Sequence, residues 1–536
     1  MKRTIIALIL GLPALSYAQS AVDALQITQP DFKGTARFMS MGGAFTALGG
    51  DLTVLGQNPA GIGIYRSSDV GVTLDINFQS TKTSPSFSSF ASKQDQTKAY
   101  CNNFGYIGAT NFDGPLKTFN WGVSYGRVSS FDRIYSGYTV PTHNSLSNYV
   151  AAASNGIIAD DMLFNGSYNP YKNPDLPWLS ILSYSSMLIN PTSADTYVGL
   201  MQDGTTGDAQ YSVREKGYVD EYNIAFGGNV ENIVYWGLDF GITDIDYQRF
   251  AYYSESMADA RIPVQGDRYA DGDAGFELNN RKHISGSGWN MKVGLIFRPI
   301  NELRIGVAVH TPTWYKLSQG YDAEIDYSYY NPAAAPGRDN PLSGTKYTDI
   351  ASFDWRLNAP WKLMFGVAGV IGNKAIVSLD YQYDAYGSMK VKRPYYGPYD
   401  YVSGFEEDPD VCQDIKNYCQ GASTIRLGLE YRVTPQFSLR AGYNYLTSYI
   451  KNQAADGNIE IYTSGTDPSY TFDKHAYNIT CGLGYRYKSW YIDAAYIYQG
   501  RESAYHAFTD YDRLSAPQSK LTDNNSSLVI STGLRF

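Results

Sequence analysis

Alternation of apolar and polar residues recurs along almost the whole chain. In residues 236–242 and 289–295 every second residue is apolar, and the residues between them are Gly, Asp, Asn or Lys. A period of two indicates a β-strand with one apolar and one polar face. Tyr and Trp stand toward the ends of the apolar faces, as in a lipid-facing band between aromatic girdles. A soluble sandwich would alternate too, but with more Lys, Glu and Thr outside. We therefore predict an all-β fold, a transmembrane antiparallel β-barrel.

The connections between these segments alternate between tight turns and long polar loops. Short periplasmic turns and long extracellular loops are what a single-chain outer-membrane barrel requires, together with an even number of strands. We predict fourteen strands, near residues 67–80, 99–113, 117–129, 210–229, 232–253, 273–298, 301–328, 347–371, 374–391, 421–433, 436–449, 474–487, 490–501 and 525–536.

Composition excludes other classes of protein. No run of about 18 or more apolar residues is present, which argues against a bundle of membrane-spanning helices. The formal charge of -9 argues against nucleic-acid binding, because phosphate neutralisation needs a basic face. Residues 1–18 combine Lys2 and Arg3 with an apolar run and small residues up to Ala18. This pattern predicts a signal peptide that directs the chain to the outer membrane of a Gram-negative bacterium.

The segment before the first strand has a different character. Residues 31–66 are rich in Gly and apolar residues but show no strand period. An external linker of this length would be polar, whereas the apolar residues of this segment need to be buried. Its small residues allow close packing of the backbone. We predict three parts: residues 1–18 as signal peptide, 19–66 as a plug (hatch) inside the lumen, and 67–536 as the barrel.

At residues 37–45 and 58–61 the chain resembles the FadL/TodX family of outer-membrane transporters of hydrophobic compounds. The first stretch reads Arg-Phe-Met-Ser-Met-Gly-Gly-Ala-Phe and the second Asn-Pro-Ala-Gly. The resemblance implies a monomer that takes up long-chain fatty acids or aromatic hydrocarbons passively, by ligand-linked movement of the hatch. The residues that it assigns to this hatch are Gly42, Gly43, Phe45, Asn58, Pro59 and Ala60. It also implies lateral exit into outer-membrane lipid beside a kinked third strand, where Gly122 and Gly126 would allow the kink.

The long connection at residues 130–209 contains two stretches with helical apolar spacing, 146–153 and 178–189. Exposed apolar helices are costly unless they pack together or bind a ligand. The family resemblance implies a capture groove, and a self-packed cap is the alternative. The candidate capture residues are Trp178, Leu179, Leu182, Met187 and Leu188. This connection and the loop around 391–421 are longer than the resemblance implies.

A second function remains open at this point. Barrels of similar fold also carry proteins, so the chain could be a surface protein-binding or secretion shuttle protein whose large loops are docking surfaces. We find no catalytic set of Ser, His and an orienting group. The five His lack metal-ligand spacing, and no cofactor is indicated. Inward charges are predicted to hold the plug: Arg304, Asp380, Arg426, Glu430, Arg440, Arg486, Asp493 and Arg535.

Two of the four cysteines lie close together in sequence. Cys412 and Cys419 stand seven positions apart in a polar loop of an exported chain, and we predict a disulfide between them. Cys481 falls on the apolar face of its strand and is expected to face lipid as a small apolar residue.

The last nine residues, 528–536, alternate so that Leu528, Ile530, Leu534 and Phe536 share one face. An aromatic at this register resembles the C-terminal strand by which the barrel-assembly machinery recognises its substrates. We expect Phe536→Ser to reduce the amount of folded, heat-modifiable protein in the outer membrane without reducing synthesis. Phe536→Tyr keeps the aromatic ring and should assemble normally. Full abundance of folded Phe536→Ser protein would contradict this role.

Overall fold

The computed structural model describes residues 19–536 except 30, 87–89, 265–267, 335–339, 373, 397–401 and 510–515. The predicted signal peptide, residues 1–18, lies outside the described residues. The described chain forms a closed antiparallel β-barrel with fourteen positions around its wall. The last strand pairs antiparallel with the first and closes the barrel, as a membrane-spanning sheet requires.

Twenty-two strands are described, and the predicted fourteen are confirmed among them. Those of the first half are β1 (Asp69–Pro85), β2 (Ser92–Asn111), β3 (Leu116–Ser130), β4 (Arg133–Thr139), β5 (Asn190–Pro191), β6 (Tyr197–Val198), β7 (Thr206–Val230), β8 (Val234–Val264), β9 (Arg268–Ile300), β10 (Leu303–His310) and β11 (Trp314–Tyr330). Those of the second half are β12 (Leu342–Tyr347), β13 (Ala351–Asn358), β14 (Lys362–Ile371), β15 (Ala375–Asp384), β16 (Lys390–Tyr396), β17 (Val402–Glu407), β18 (Ala422–Arg432), β19 (Phe437–Leu446), β20 (Tyr470–Tyr487), β21 (Trp490–His506) and β22 (Gln518–Arg535).

Several strands are longer than the sequence indicated. Strands β8 and β9 have 31 and 33 residues, whereas about 9–11 residues are enough to cross the membrane. Tight turns join β7 to β8 and β9 to β10 at the opposite end. The excess therefore projects on the extracellular side, where the alternation continues with polar residues facing water. Strand β3 continues as β4 along β7, and β10 continues as β11 along β9.

The two faces of the wall differ as the alternation predicts. In β22, Leu528 and Ile530 face outward with 42% and 43% of their surface exposed, whereas Val529 and Ser531 between them are buried. Cys481 is also exposed on the outer face, as predicted. No helix in the described part of the chain is long and apolar enough to cross a membrane.

Helices occur in the N-terminal segment and in the extracellular loops. The described α-helices are α1 (Ala21–Thr28), α2 (Ala36–Ser40), α3 (Val54–Gln57), α4 (Leu146–Ser154), α5 (Trp178–Ser185), α6 (Pro409–Tyr418) and α7 (Asn452–Ala455). Short 3-10 helices span Pro59–Ile64, Ala159–Met162, Pro170–Lys172 and Tyr386–Ser388. The predicted helices at 146–153 and 178–189 are α4 and α5. They pack on each other, and Ser154 Oγ lies 2.8 Å from Ser180 Oγ.

The predicted disulfide is wrong, because Cys412 and Cys419 are both free. Cys412 lies within α6, and Cys419 is the residue that ends this helix. Seven residues of α-helix rise about 10 Å, whereas a disulfide needs Cα atoms closer than about 7 Å. The prediction treated residues 410–419 as an irregular loop. The cap that starts the helix, Asp408, accepts a hydrogen bond from Val411 N at 3.1 Å.

Candidate functional site

The N-terminal segment, residues 19–65, lies inside the barrel and runs along its length. Its beginning lies under the extracellular loops, where Gln19 Nε2 donates to Asp408 Oδ2 at 3.1 Å. Asp23 pairs with Lys282 Nζ at 2.8 Å. Burial raises the pKa of Asp23, but the charge of Lys282 and the hydrogen bonds from Ser464 and Ser20 lower it by more. The pKa of Asp23 therefore lies below its usual value. The rest of the segment, α2 to the Pro59–Ile64 helix, fills the end of the barrel that carries the tight turns.

A belt of inward-facing glycines lets the main chain of this segment touch the barrel wall. At each of these positions an added Cβ would lie within 3.0 Å of an atom of residues 40–59, a distance that real Cβ atoms do not reach. We call the set the glycine belt: Gly237, Gly294, Gly306, Gly366, Gly428, Gly442 and Gly482. Several are direct partners across strands, including Gly237 with Gly294 and Gly428 with Gly442. The segment therefore packs directly on the backbone of the wall, through its own main chain at four of the glycines and through the side chains of Ser40, Thr46 and Asn58 at the other three.

The six predicted hatch residues come together against this belt. Asn58 Nδ2 donates to Thr46 O at 2.6 Å, and Asn58 Oδ1 accepts from Ala60 N at 3.1 Å. Pro59 opens the 3-10 helix, where its missing N–H costs nothing. Asn58 thus ties the beginning of this helix to the chain twelve residues earlier. An Ala at 58 would lose both hydrogen bonds.

The other predicted hatch residues shape the turn at residues 41–45. Gly42 and Gly43 have φ of 61° and 75°, a region that favours glycine. Gly42 packs against the backbone of Leu427 and Tyr443. The Phe45 ring lies 5.4 Å from that of Phe38 and 5.2 Å from the Arg37 guanidinium. This turn is built for close approach to β18 and β19.

Inward charges fix the segment in place, as predicted for most of them. Arg37 Nε pairs with Glu430 at 3.0 Å, and Glu430 also pairs with Arg440 at 2.8 Å. Asp380 accepts from Thr46 N at 2.7 Å, and Arg304 donates to Leu48 O at 2.7 Å. Two more belong to this group: Asp493 pairs with Arg440, and Arg535 donates to Gly50 O. Arg426 differs, because among the described residues its hydrogen bond goes to Gln382 of the wall.

A cavity of about 270 Å³ lies between the N-terminal segment and the wall. Apolar side chains such as Ile27, Phe38 and Met364 line it together with charged ones such as Lys292 and Arg426. His310 Nε2, which also lines it, lies 2.7 Å from Gln57 O, next to the Asn58 turn. The cavity therefore borders the contacts that hold the N-terminal segment.

The cavity also reaches the wall where the β2–β3 ladder stops. The last pair of this ladder is Asn103 with Gly126, although β2 continues along β1 to Ser92 and β3 along β7 to Ser130. The register of β3 on β7 shifts between Arg127 and Ser129. The pairing of β3 therefore becomes irregular just after Gly126, one of the two glycines considered for a kink.

The two predicted kink glycines have different surroundings. A Cβ at Gly122 would lie 3.0 Å from Leu55, so Gly122 makes room for the N-terminal segment. Gly126 has free space, with Asn103 at 3.7 Å. Beside it, Arg127 pairs with Asp220 at 2.9 Å and lies over the Tyr100 ring of β2. Arg127 thus links β3 to β2 where backbone pairing is absent.

The candidate capture residues pack inside the extracellular cap. Leu182 and Leu188 are fully buried, and Leu179 is 9% exposed, in an apolar cluster with the extended parts of β7, β8, β9 and β11. The Trp178 ring lies between those of Tyr171 and Tyr321, at 4.9 and 5.2 Å. Met187 is in the left-handed region with φ of 58°. None of the five lines the 270 Å³ cavity, and this arrangement matches the self-packed cap.

Among the described residues, no three His, Cys, Asp or Glu side chains are grouped as a metal site.

Sequence reasoning missed two features of the lumen. The glycine belt was visible only as scattered Gly on polar strand faces, and aligning these strands by their tight turns would have revealed it. The position of residues 19–25 beneath the loops left no signal in the sequence.

Comparison with known proteins shows which family this barrel belongs to. The model of the family described as "TonB dependent receptor-like, beta-barrel" matches residues 153–464. The chain belongs to this family. The matched residues form the cap and much of the wall and exclude the N-terminal segment. No curated protein matches the chain.

Several solved structures are similar to this chain at low identity. A Pseudomonas aeruginosa FadL homologue is 13% identical, covers 95% of this chain and 99% of its own, with a TM-score of 0.50. The toluene transporters TodX of Pseudomonas putida and TbuX of Ralstonia pickettii are each 14% identical over 94% of this chain and 99% of their own, with TM-scores of 0.46 and 0.44. The predicted FadL-type fold is confirmed, and the protein is a Gram-negative outer-membrane protein.

The glycine belt predicts opposite outcomes for two similar substitutions. Gly294→Ala should displace the Asn58 turn, because its Cβ would overlap Asn58 Oδ1. Gly369→Ala is the matched control, since no atom lies within 4 Å of its Cβ. We expect hydrogen–deuterium exchange of residues 54–64 to rise in Gly294→Ala only, while both barrels stay folded. Equal protection of these residues in the two variants would contradict the belt's role.

Proposed function

We propose that the protein is an outer-membrane channel for passive uptake of hydrophobic small molecules such as long-chain fatty acids or aromatic hydrocarbons. The observation that carries this proposal is the partly apolar cavity inside the barrel, which borders both the N-terminal segment and the interrupted β2–β3 ladder. A water-filled pore offers an apolar solute no favourable path, whereas apolar side chains in a lumen do. A sheltered cavity with an opening toward lipid solves that problem.

In this mechanism the N-terminal segment, residues 19–66, is the hatch. It closes the periplasmic end through the glycine belt and the Arg37–Glu430–Arg440 ion pairs. The Asn58 turn is the part that a ligand would shift, because the cavity borders it through His310 and Gln57. A ligand moves such an equilibrium only if it binds one hatch position more tightly than the other. Because the cavity borders the turn, a ligand in the cavity would contact the turn differently in the two hatch positions, and its affinity for them would differ.

Exit is lateral, between β2 and β3. Backbone pairing stops at Asn103 and Gly126, and the side chains beyond it line the cavity. A gap in a barrel wall exposes unpaired backbone groups, which are tolerated only where protein or a cavity covers them. At the end of the ladder, Asn103 Nδ2 donates to Tyr125 O at 3.0 Å. An apolar ligand could pass there into the outer-membrane lipid without entering water.

Uptake of labelled compounds tests the function and the hatch together. Cells that make the protein should take up labelled oleate or toluene faster than cells that lack it. Asn58→Ala with Pro59→Ala removes two hydrogen bonds of the turn, each worth about 1 kcal/mol. The barrel should assemble, and either ligand uptake should fall or leakage of small polar solutes should rise. Unchanged fluxes at equal surface abundance would refute the hatch, and no dependence of uptake on the protein would favour the shuttle protein.

A bulky side chain at the gap tests lateral exit. Gly126→Leu places apolar bulk in the free space beside Asn103 and should slow uptake at unchanged surface abundance. Gly369→Leu, on the outward face of β14, is the control and should leave uptake as in wild type. Wild-type uptake by Gly126→Leu would show that ligands leave by another route.

A further inference from the structure

A buried lysine of β9 lies beside a side-chain amide of β7, across the strand between them. Lys292 Nζ donates to Asn223 Oδ1 at 2.7 Å. We propose that these two residues form an intramolecular isopeptide bond, in which Lys292 Nζ replaces the amide nitrogen of Asn223 and ammonia is released. This modification is independent of the proposed transport and adds a covalent link to the barrel wall.

The distance between the two groups suits attack on the amide carbon of Asn223. Because Cγ is bonded to Oδ1 at about 1.2 Å, Lys292 Nζ lies within about 4 Å of Cγ. Attack proceeds from roughly 3–3.5 Å, which a small rotation of the Asn223 amide group supplies. The side chains are therefore arranged as the reactants of an amide exchange.

Gly241 of β8 leaves the space in which the two side chains meet. Asn223 is its cross-strand partner on β7, and Asn290 is its partner on β9. Since neighbouring strands are about 4.8 Å apart, β7 and β9 are about 10 Å apart, and Lys292 has to reach across β8. A Cβ at Gly241 would lie 2.7 Å from both Asn290 Oδ1 and Glu221 Oε1. A side chain there would displace the groups around Lys292.

Two carboxylates can accept the proton that Lys292 has to lose before it acts as a nucleophile. Glu221 Oε2 lies 2.7 Å and Asp239 Oδ2 3.0 Å from Lys292 Nζ. Glu221 also accepts from Asn290 Nδ2 at 2.7 Å. Asp239 Oδ1, in contrast, is buried without a hydrogen-bond partner among the described residues. An ionised oxygen in that position is unfavourable, so Asp239 is the better proton acceptor.

Atoms and charge balance in the resulting step. Lys292 passes one proton to Asp239, and its neutral Nζ attacks Cγ of Asn223. The Nζ–Cγ bond forms, Asp239 gives its proton to Nδ2, and the Cγ–Nδ2 bond breaks as ammonia leaves. Asp239 then takes the second proton of Nζ. The products are a secondary amide, ammonia and a neutral Asp239 carboxyl, and no oxidant or reductant is consumed.

Burial favours this reaction over a permanent ion pair. The Lys292 side chain is 4% exposed, Asn223 is 5% exposed and Asp239 is fully buried. Taking charges out of water is costly, so the neutral amine and the neutral acid gain relative to the charged pair. Asn223 and Lys292 nevertheless line the 270 Å³ cavity, which gives ammonia a way out.

Lys282, on the same strand, provides a comparison within the protein. It is also buried, pairs with Asp23 at 2.8 Å and donates to Ser464 Oγ at 3.1 Å. Within the described part of the chain, however, Lys292 is the lysine whose ammonium donates to a side-chain amide oxygen. Lys282 should therefore stay unmodified.

The link also borders the hatch. A Cβ at Gly56 would lie 3.5 Å from Glu221 Oε2 and 3.6 Å from Asn223 Nδ2. Joining Asn223 to Lys292 ties β7 to β9 behind this part of the hatch. The wall at this position would then keep its shape when the hatch moves.

Tandem mass spectrometry of a tryptic digest tests the bond directly, on heat-modifiable full-length protein purified from the outer membrane. Trypsin should cleave after Lys282 but not after Lys292, and the Arg298–Pro299 bond resists it. We therefore expect peptide 217–249 joined to peptide 283–304, lighter than the two together by one ammonia. A free peptide 283–292 at full yield, with no linked peptide, would overturn the proposal whatever the variants show.

Variants test the role of each group. Asn223→Ala and Lys292→Arg should abolish the linked peptide. Asp239→Asn should lower the linked fraction of freshly assembled protein by about tenfold or more, since general acid–base catalysis contributes about 10²–10⁴ in rate. Asn478→Ala, which changes another buried asparagine of the same cavity, is the control and should keep the link. A wild-type linked fraction in folded Asp239→Asn protein would overturn the role of Asp239.

Discussion

Direct contact between the N-terminal segment and the main chain of the wall is the constraint on which the lumen of this barrel depends. Side chains fill the interior of most small barrels, but here the wall has Gly where residues 40–59 pass, from Gly237 on β8 to Gly482 on β20. A single methyl group at these positions would force the N-terminal segment away from the wall. The position of the Asn58 turn, the floor of the cavity and the closure of the periplasmic end all follow from this fit.

The sequence predicted the wall well because a period of two is a direct consequence of strand geometry. Every one of the fourteen predicted strands is present, and exposed Leu528 and Ile530 confirm the lipid face. Strand lengths were less predictable, since β8 and β9 leave the membrane without losing their alternation. Local pattern cannot tell where lipid ends and water begins on a continuous strand.

Contacts between distant parts of the chain were beyond the reach of sequence reasoning. The predicted Cys412–Cys419 disulfide was wrong because it used only their spacing in the sequence, whereas the helix α6 between them holds the two residues apart. The Asn58 turn was predicted from its local motif, but its partner at Gly294 lies more than two hundred residues away. The pairing of Asp23 with Lys282 is similar. Such contacts depend on barrel register, which one sequence does not display.

The inward charges divide into two groups by what they contact. Arg37, Glu430, Arg440 and Asp493 form a closed set of ion pairs around the N-terminal segment, so their charges compensate one another whether or not a ligand is present. Arg426 stands outside that set and interacts with Asp380 and Asp384 of the wall instead. Removing one partner of a compensated pair destabilises a structure by leaving a charge alone. The ion pairs of the first group therefore oppose any movement of the N-terminal segment that separates Arg37 from Glu430.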